Sequence, residues 1–326
     1  MKNIIDIKVG YLCNNHCLHC AIGDSKRDLQ KENKNTDLNT SEVLSLIEKN
    51  AGNYSACVLT GGEITIRKDC IQIINHALKF YDSVQIQTNG RRITEDFLNK
   101  IDDVRRCFFA VAIHGPEEVH DVITQVKHSY TQTIRGLEAL SKRSVGVCLK
   151  FVLSKINYKY CQHVVELAHQ FGIARINVAY VHACGDARLN KEKLLVSYED
   201  IKPYVTDALV LSEKYGIWTD LETFPMCKID SRFYHCSDDM YMERTICVPV
   251  NQQSFDWEYT RKQLNKVHHT QCENCVFERI CEGPWEEYNL SEMVPMYPNK
   301  PKLTGSKSDI IKKLKLMRGI DFCVEK

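Results

Sequence analysis

The apolar run Ile4-Ile5-Asp6-Ile7-Lys8-Val9 leads into Cys13-Asn14-Asn15-His16-Cys17-Leu18-His19-Cys20, and this stretch decides how the chain reads. Its C-x3-C-x2-C spacing gathers three thiolates in one short loop. A [4Fe–4S] cube has four irons, each needing a ligand, so three neighbouring cysteines leave one iron open to a small molecule with hard donor atoms. Zinc is the alternative, since cysteine triplets also bind it tetrahedrally. Zinc loops usually come as paired C-x2-C knuckles, however, and the next cysteine here is the distant Cys57. The spacing favours iron–sulfur.

A second motif adds weight. Val58-Leu59-Thr60-Gly61-Gly62-Glu63 reads as an apolar strand ending in a Gly-Gly-Glu turn. Adjacent glycines expose backbone groups and allow positive φ, so a ligand can approach the chain closely. Alone, such a tripeptide is a common surface turn. At the end of the strand that follows the cysteine triplet, it resembles the radical S-adenosylmethionine (radical SAM) enzymes. The resemblance implies that Cys13, Cys17 and Cys20 hold the cluster and that the amino and carboxylate groups of SAM chelate the open iron. It implies that Gly61 and Gly62 bind the methionine amino group through their carbonyls, with Glu63 supporting the turn. His19 would border the adenine, and Thr88, Asn89 and His114, at the ends of later strands, would approach SAM.

With 326 residues the chain suffices for a core of about 200 residues and a smaller appendage. A formal net charge of +1 argues against a dedicated nucleic-acid surface. No stretch approaches the ~20 apolar residues that cross a bilayer, and the N-terminus has no apolar signal region. Sixteen cysteines without a secretory signal point to the cytoplasm, with thiols as ligands, core residues or reactive groups rather than disulfides.

The first 180 residues alternate strand and helix, with strands expected at 4–9, 57–60, 84–88, 108–113, 146–153 and 175–180. Asn39-x-x-Glu42 reads as a capping box, 71–80 as a helix, and the polar stretch 24–39 as a mobile loop. Six β/α units fall short of a closed barrel, and the resemblance implies an α/β fold, a partial (β/α)6 TIM-like barrel. In barrels of this kind the chemistry sits at the C-terminal strand ends, where all these motifs fall. A helix at 197–215 precedes a change in composition. The expected division is therefore a core at 1–205 and a small C-terminal cysteine-rich cluster-binding domain at 206–326.

In that tail, Cys272-x2-Cys275-x5-Cys281 resembles the SPASM and shorter twitch extensions that hold auxiliary [4Fe–4S] clusters. Two features depart from the pattern. Trp285 stands where the full SPASM pattern has a further cysteine, and no glycine lies between Cys227 and Cys247. Seven tail cysteines fall short of the eight ligands that two clusters need, so one auxiliary cluster is expected. Its ligands would be Cys272, Cys275 and Cys281, with Cys227 of a Pro-x-Cys element as the fourth and Cys236, Cys247 and Cys323 as rivals. A four-cysteine zinc knuckle is the alternative.

Cys184, just past the sixth strand, is placed to return a hydrogen atom to a substrate radical, or is simply a loop cysteine. Arg91-Arg92 and Arg105-Arg106 are phosphate ligands or solvated charge. The resemblance implies reductive cleavage of SAM to a 5′-deoxyadenosyl radical that takes a hydrogen atom from the substrate. The auxiliary tail points to post-translational modification of a ribosomally made peptide or protein. The alternatives are radical chemistry on a small molecule (a sugar, nucleotide or cofactor precursor) and a non-enzymatic iron–sulfur or zinc module. The expected partners are that substrate and a low-potential electron donor such as flavodoxin or ferredoxin. Because the first strand begins at residue 4, a leader peptide is expected to bind the barrel, the tail or a partner.

Overall fold

The computed structural model describes residues 4–240, 245–298 and 309. Its strands are β1 (Ile4–Lys8), β2 (Ala56–Thr60), β3 (Ser83–Thr88), β4 (Cys107–Ala112), β5 (Gly146–Leu153), β6 (Arg175–Tyr180), β7 (Trp218–Glu222), β8 (Thr245–Val248) and β9 (Phe255–Asp256). They form one sheet in the order β7-β6-β5-β4-β3-β2-β1-β8-β9. Every pair is parallel except β8–β9, and the sheet is open between β7 and β9. The helices are α1 (Gly23–Lys31), α2 (Thr40–Lys49), α3 (Cys70–Ala77), α4 (Glu95–Asn99), α5 (Glu117–Thr124), α6 (Ser129–Ser141), α7 (Cys161–Gln170), α8 (Asp186–Leu189), α9 (Lys191–Leu194), α10 (Tyr198–Tyr215) and α11 (Trp257–Thr260).

Side chains alternate across each strand, and that alternation builds two different faces. Ile5, Ile7, Leu59, Ile86, Phe109 and Leu149 belong to the common apolar core. Each such side chain contributes about 1.5–3 kcal/mol by leaving water. The intervening residues Lys8, Thr60, Gln87, Lys150 and Glu222 line a cavity instead. Ala110, Ala112 and Ala179 stand among them, and their small side chains leave that cavity its space. A partial barrel whose interior carries polar and charged side chains among small apolar ones follows from this pattern.

All six expected strands are present. The capping box forms as written: Asn39 Oδ1 accepts the Glu42 N–H at 3.0 Å, and Glu42 Oε2 accepts the Asn39 N–H at 2.7 Å. The stretch 24–39 differs from expectation, because its first part is the helix α1. Its polar composition conceals a helix held by a single fully buried apolar residue, Leu29, and by ion pairs from Arg27 to Asp24 and Asp186.

Residue 205 lies within α10, and β7, β8 and β9 from beyond it extend the same sheet at both edges. The tail residues Phe224, Phe277, Trp285 and Tyr288 pack into the same core as the strands. No helix among the described residues is long and apolar enough to cross a membrane. Cys323 lies outside the described residues.

Candidate active site

From β1 the chain passes through Gly10 and Tyr11 into the cysteine loop, which is fixed from two sides. His16 and Leu18 donate their N–H groups to the Thr124 and Ile123 carbonyls of α5, at 2.9 Å each. From just past β3, Arg91 Nη1 donates to the Asn14 carbonyl and, at 2.5 Å, to Asn15 Oδ1. Its Nε donates to Gln132 Oε1 at 2.7 Å, and Asn89 Nδ2 donates to Asn14 Oδ1 at 2.7 Å. Sequence reasoning offered Arg91 only as a phosphate ligand or solvated charge. The clamp it forms on Asn14 and Asn15 spans more than 70 residues and leaves no local signal.

The Gly-Gly-Glu turn packs backbone against backbone on the same segment. Gly62 N–H donates to the Gly10 carbonyl at 2.7 Å, and Glu63 N–H to the Leu12 carbonyl at 2.8 Å. Gly61 has φ +139°, and a Cβ there would overlap the Gly10 carbonyl oxygen; a Cβ on Gly62 would overlap that of Leu12. Both positions therefore require glycine before any ligand is considered. The Glu63 carboxylate, 3% exposed, accepts from Thr65 Oγ1 at 2.6 Å, Thr88 Oγ1 at 2.7 Å and Asn89 N–H at 2.6 Å. Burial raises its pKa, and these hydrogen bonds oppose the rise. Glu63 thus ties the end of β2 to the end of β3 and carries Asn89 to the cysteine loop.

Cys13, Cys17 and Cys20 share this rim and line the cavity, whose volume is ≈ 500 Å³. Burial pushes all three thiols up, Cys20 to about 11, and neighbouring thiols add to the rise at Cys17. Such thiols ionise when a metal takes the place of their protons. Among the described residues, the only three or more Cys, His, Asp or Glu with ligand atoms all within 4.8 Å of one another are Glu117, Asp121 and His128. That group reads as a helix start, because Asp121 accepts from Ser129 Oγ at 2.8 Å and Tyr130 N–H at 2.9 Å. The cysteine sulfurs are spread more widely than the roughly 3.8 Å that 2.3 Å bonds to one tetrahedral zinc would impose. The donor set fits a multi-iron cluster.

A wall of imidazoles faces the same cavity. His19 meets His114 edge-on at 4.6 Å, and His114 stacks on His120 at 5.4 Å. His114 N–H donates to His120 Nδ1 at 3.2 Å, which assigns the proton of the neutral His120 ring to Nε2. Burial lowers the pKa of His19 and His120 to about 4, and that of His114 well below its usual value. His19 Nδ1, His114 Nδ1 and His120 Nε2 have no hydrogen-bond partner among the described residues. Neutral rings with open edge donors and acceptors fit a heteroaromatic base.

Cys184 also lines the cavity, and burial pushes its thiol up to about 12, so it stays protonated. Beside it, His182 Nδ1 lies 2.8 Å from Glu287 Oε1, and its ring stacks on Trp285 at 4.1 Å. His182 and Trp285 were not singled out as site residues; only the tail's docking on the end of β6 brings them there.

In the tail, Cys227 comes together with Cys272, Cys275 and Cys281, each near enough for its charge to act on another of the set. Met226 and Gly283 N–H groups donate to Cys281 Sγ at 3.4 Å each, and Met296 N–H donates to Cys275 Sγ at 3.4 Å. Backbone donors of this kind stabilise thiolates and tune a cluster's potential. Cys236 lies apart, near Asp220 and Glu213, and Cys247 lies in β8 near Asp6 and Lys8. A buried charge network runs through this tail to the end of β7. Arg261 reaches Glu282 Oε1 at 2.6 Å and Asp238 Oδ2 at 3.3 Å, and Lys266 reaches Glu282 Oε2 at 3.1 Å. Asp238 Oδ1 in turn accepts from Thr223 N–H, beside the cavity, at 3.2 Å.

Comparison with known proteins follows this geometry. Residues 7–168 match the family model of the radical SAM superfamily. Fe-coproporphyrin III synthase of Methanosarcina barkeri is 29% identical over 165 residues, 50% of this chain and 40% of that protein. Mycofactocin maturase MftC of Mycolicibacterium smegmatis is 27% identical over 165 residues, again 50% of this chain and 40% of that protein. The chain thus spans under half the length of either relative. A solved structure of anSMEcpe with bound AdoMet and the Kp18Cys peptide superposes with a TM-score of 0.62 at 12% identity. It covers 98% of this chain and 97% of that one, so the likeness in fold extends through the tail.

Proposed function

This chain belongs to the radical SAM superfamily, and from that premise we propose that it is a two-cluster enzyme modifying a ribosomally made peptide or protein. The observation that carries the reading is the backbone packing of the Gly-Gly-Glu turn on the cysteine loop at the rim of one cavity. Cys13, Cys17 and Cys20 would hold the SAM cluster, and Cys227, Cys272, Cys275 and Cys281 the auxiliary one. When bound, a cluster held by these cysteines together with SAM would supply radical chemistry, the reductive cleavage of SAM that yields a hydrogen-abstracting 5′-deoxyadenosyl group.

The chain's own residues do the rest. Gly61 and Gly62 present backbone to the methionine amino group, with Glu63, Thr88 and Asn89 fixing the turn. His19 and His114 flank the adenine. Cys184 holds a protonated thiol beside the cavity, the form a hydrogen-atom donor needs. Flavodoxin or ferredoxin is the electron donor we propose.

The peptide reading draws support from the relative named a maturase and from the structural neighbour solved with a peptide. The small-molecule reading has its own support in the relative named as a porphyrin synthase. The two separate when the reconstituted protein is incubated anaerobically with SAM, dithionite and any short peptide found encoded beside its gene. Mass spectrometry should show a modified peptide formed together with 5′-deoxyadenosine. An unchanged peptide, with 5′-deoxyadenosine rising only when a small-molecule extract is added, would favour the alternative.

A further inference from the structure

Three lysines line the cavity, and two of them already have anionic partners. Lys8 Nζ stands 2.8 Å from Asp6 Oδ2, and Lys150 Nζ stands 3.3 Å from Glu222 Oε2. Lys26, on α1, has no carboxylate partner among the described residues. Its helix is otherwise neutralised: Arg27 pairs with Asp24 and Asp186, Asp24 also with Arg188, and Lys31 with Asp28. Of the three lysines that line the cavity, Lys26 is the one without a carboxylate partner among the described residues.

The position of Lys26 is fixed by the fold. α1 begins at Gly23, three residues after Cys20, and side chains on a helix lean toward its N-terminus. The Lys26 side chain is thus carried back toward the cysteine loop, and it lines the same cavity as Cys13, Cys20, Gly61 and Gly62. The helix itself cannot drift. Gly185 N–H donates to Asp24 Oδ2 at 2.9 Å, Asp186 N–H donates to the Cys20 carbonyl at 2.8 Å, and a Cβ on Gly23 would overlap the Asp186 carboxylate. Tyr11 belongs to the backbone segment on which Gly62 packs.

We propose that Lys26 is the counter-ion for the α-carboxylate of SAM. The assignment rests on the reading that SAM binds at this rim, and it follows from connectivity. The amino and carboxylate groups share one carbon, so an amino group at Gly61-Gly62 places the carboxylate beside the Gly10–Leu12 segment and the cysteine loop. Lys26 is the unpaired cation at that place. A charge-assisted bond there, made without displacing an existing partner, orients the amino-acid end of the ligand.

Equilibrium binding to the cluster-loaded protein, without reductant, tests this with SAM and with decarboxylated SAM as probes. Iron content and visible absorbance of wild type, Lys26→Gln and Lys26→Arg serve as folding controls. Lys26→Gln should weaken SAM about tenfold, the scale of one lost charge-assisted bond. Lys26→Arg should recover most of the loss, and decarboxylated SAM should bind wild type and Lys26→Gln equally. If Lys26→Gln binds SAM as wild type does, or weakens both probes alike, the assignment is overturned; the second result would place the charge on the cluster instead. A wild-type protein that loads iron yet binds neither probe overturns the SAM-site reading itself, and this assignment with it.

Discussion

His120 shows how a single residue couples the cavity wall to stability. Its ring is buried and neutral, with a pKa lowered to about 4 from 6.5, and its Nδ1 accepts the His114 N–H. In the unfolded chain the ring takes a proton near pH 6.5; in the folded protein it does so only near pH 4. Its contribution is therefore complete above pH 6.5 and lost as the pH falls toward 4. His120→Asn keeps an acceptor for His114 while removing the titrating group. Urea unfolding of this variant at pH 7, 6 and 5 should show a slope with pH shallower by up to about one proton. A slope identical to wild type would mean that His120 is already charged in the fold. At this scale the legible residues were those whose chemistry demands a type at a spacing, as with Cys13, Cys17 and Cys20. Arg91 was not legible, because its partners Asn14 and Asn15 are distant in sequence and nothing local distinguishes a clamp from a solvated arginine.

Among the elements, the turn after β2 matters most, since it sets the distance between the glycine backbone and the cysteine loop. Gly62→Ala would place a Cβ on the Leu12 carbonyl, and neither backbone can yield without moving a strand end. The variant should lose SAM binding and retain less iron. Gly52→Ala, with φ +81° but nothing within 4 Å of the added Cβ, should keep both at a backbone cost of about 1 kcal/mol. Equal SAM affinity in the two variants would show that the close packing is not what positions the ligand. The strands were legible from apolar runs bounded by turn residues. α1 was not, because a short helix stabilised by ion pairs and one buried leucine has too little apolar periodicity to register.

Across the whole molecule, the tail and the barrel share one sheet and one core, and a buried charge network runs through the tail to the end of β7. Arg261, 1% exposed, bridges Asp238 and Glu282 from partners more than 20 residues away, which no local pattern announces. The C-x2-C-x5-C spacing of the tail is plain in the sequence, and it is the spacing that the proposed auxiliary cluster would use. Which of Cys227, Cys236 and Cys247 stands by the C-x2-C-x5-C run depends on how the chain returns past β7. Among these three it is Cys227, next to Met226, whose N–H donates to Cys281 Sγ; Cys323, the fourth candidate, lies outside the described residues. The central claim is a SAM cluster and one auxiliary cluster in this single framework. Its most direct test is iron content with reductive SAM cleavage, measured on the anaerobically reconstituted protein and on the Cys13→Ala/Cys17→Ala/Cys20→Ala variant. The account predicts about eight irons per chain and 5′-deoxyadenosine formation in the wild type, with about four irons and no cleavage in the variant. Zinc in the tail, or a fully loaded wild type that never cleaves SAM under strong reductant, would contradict it.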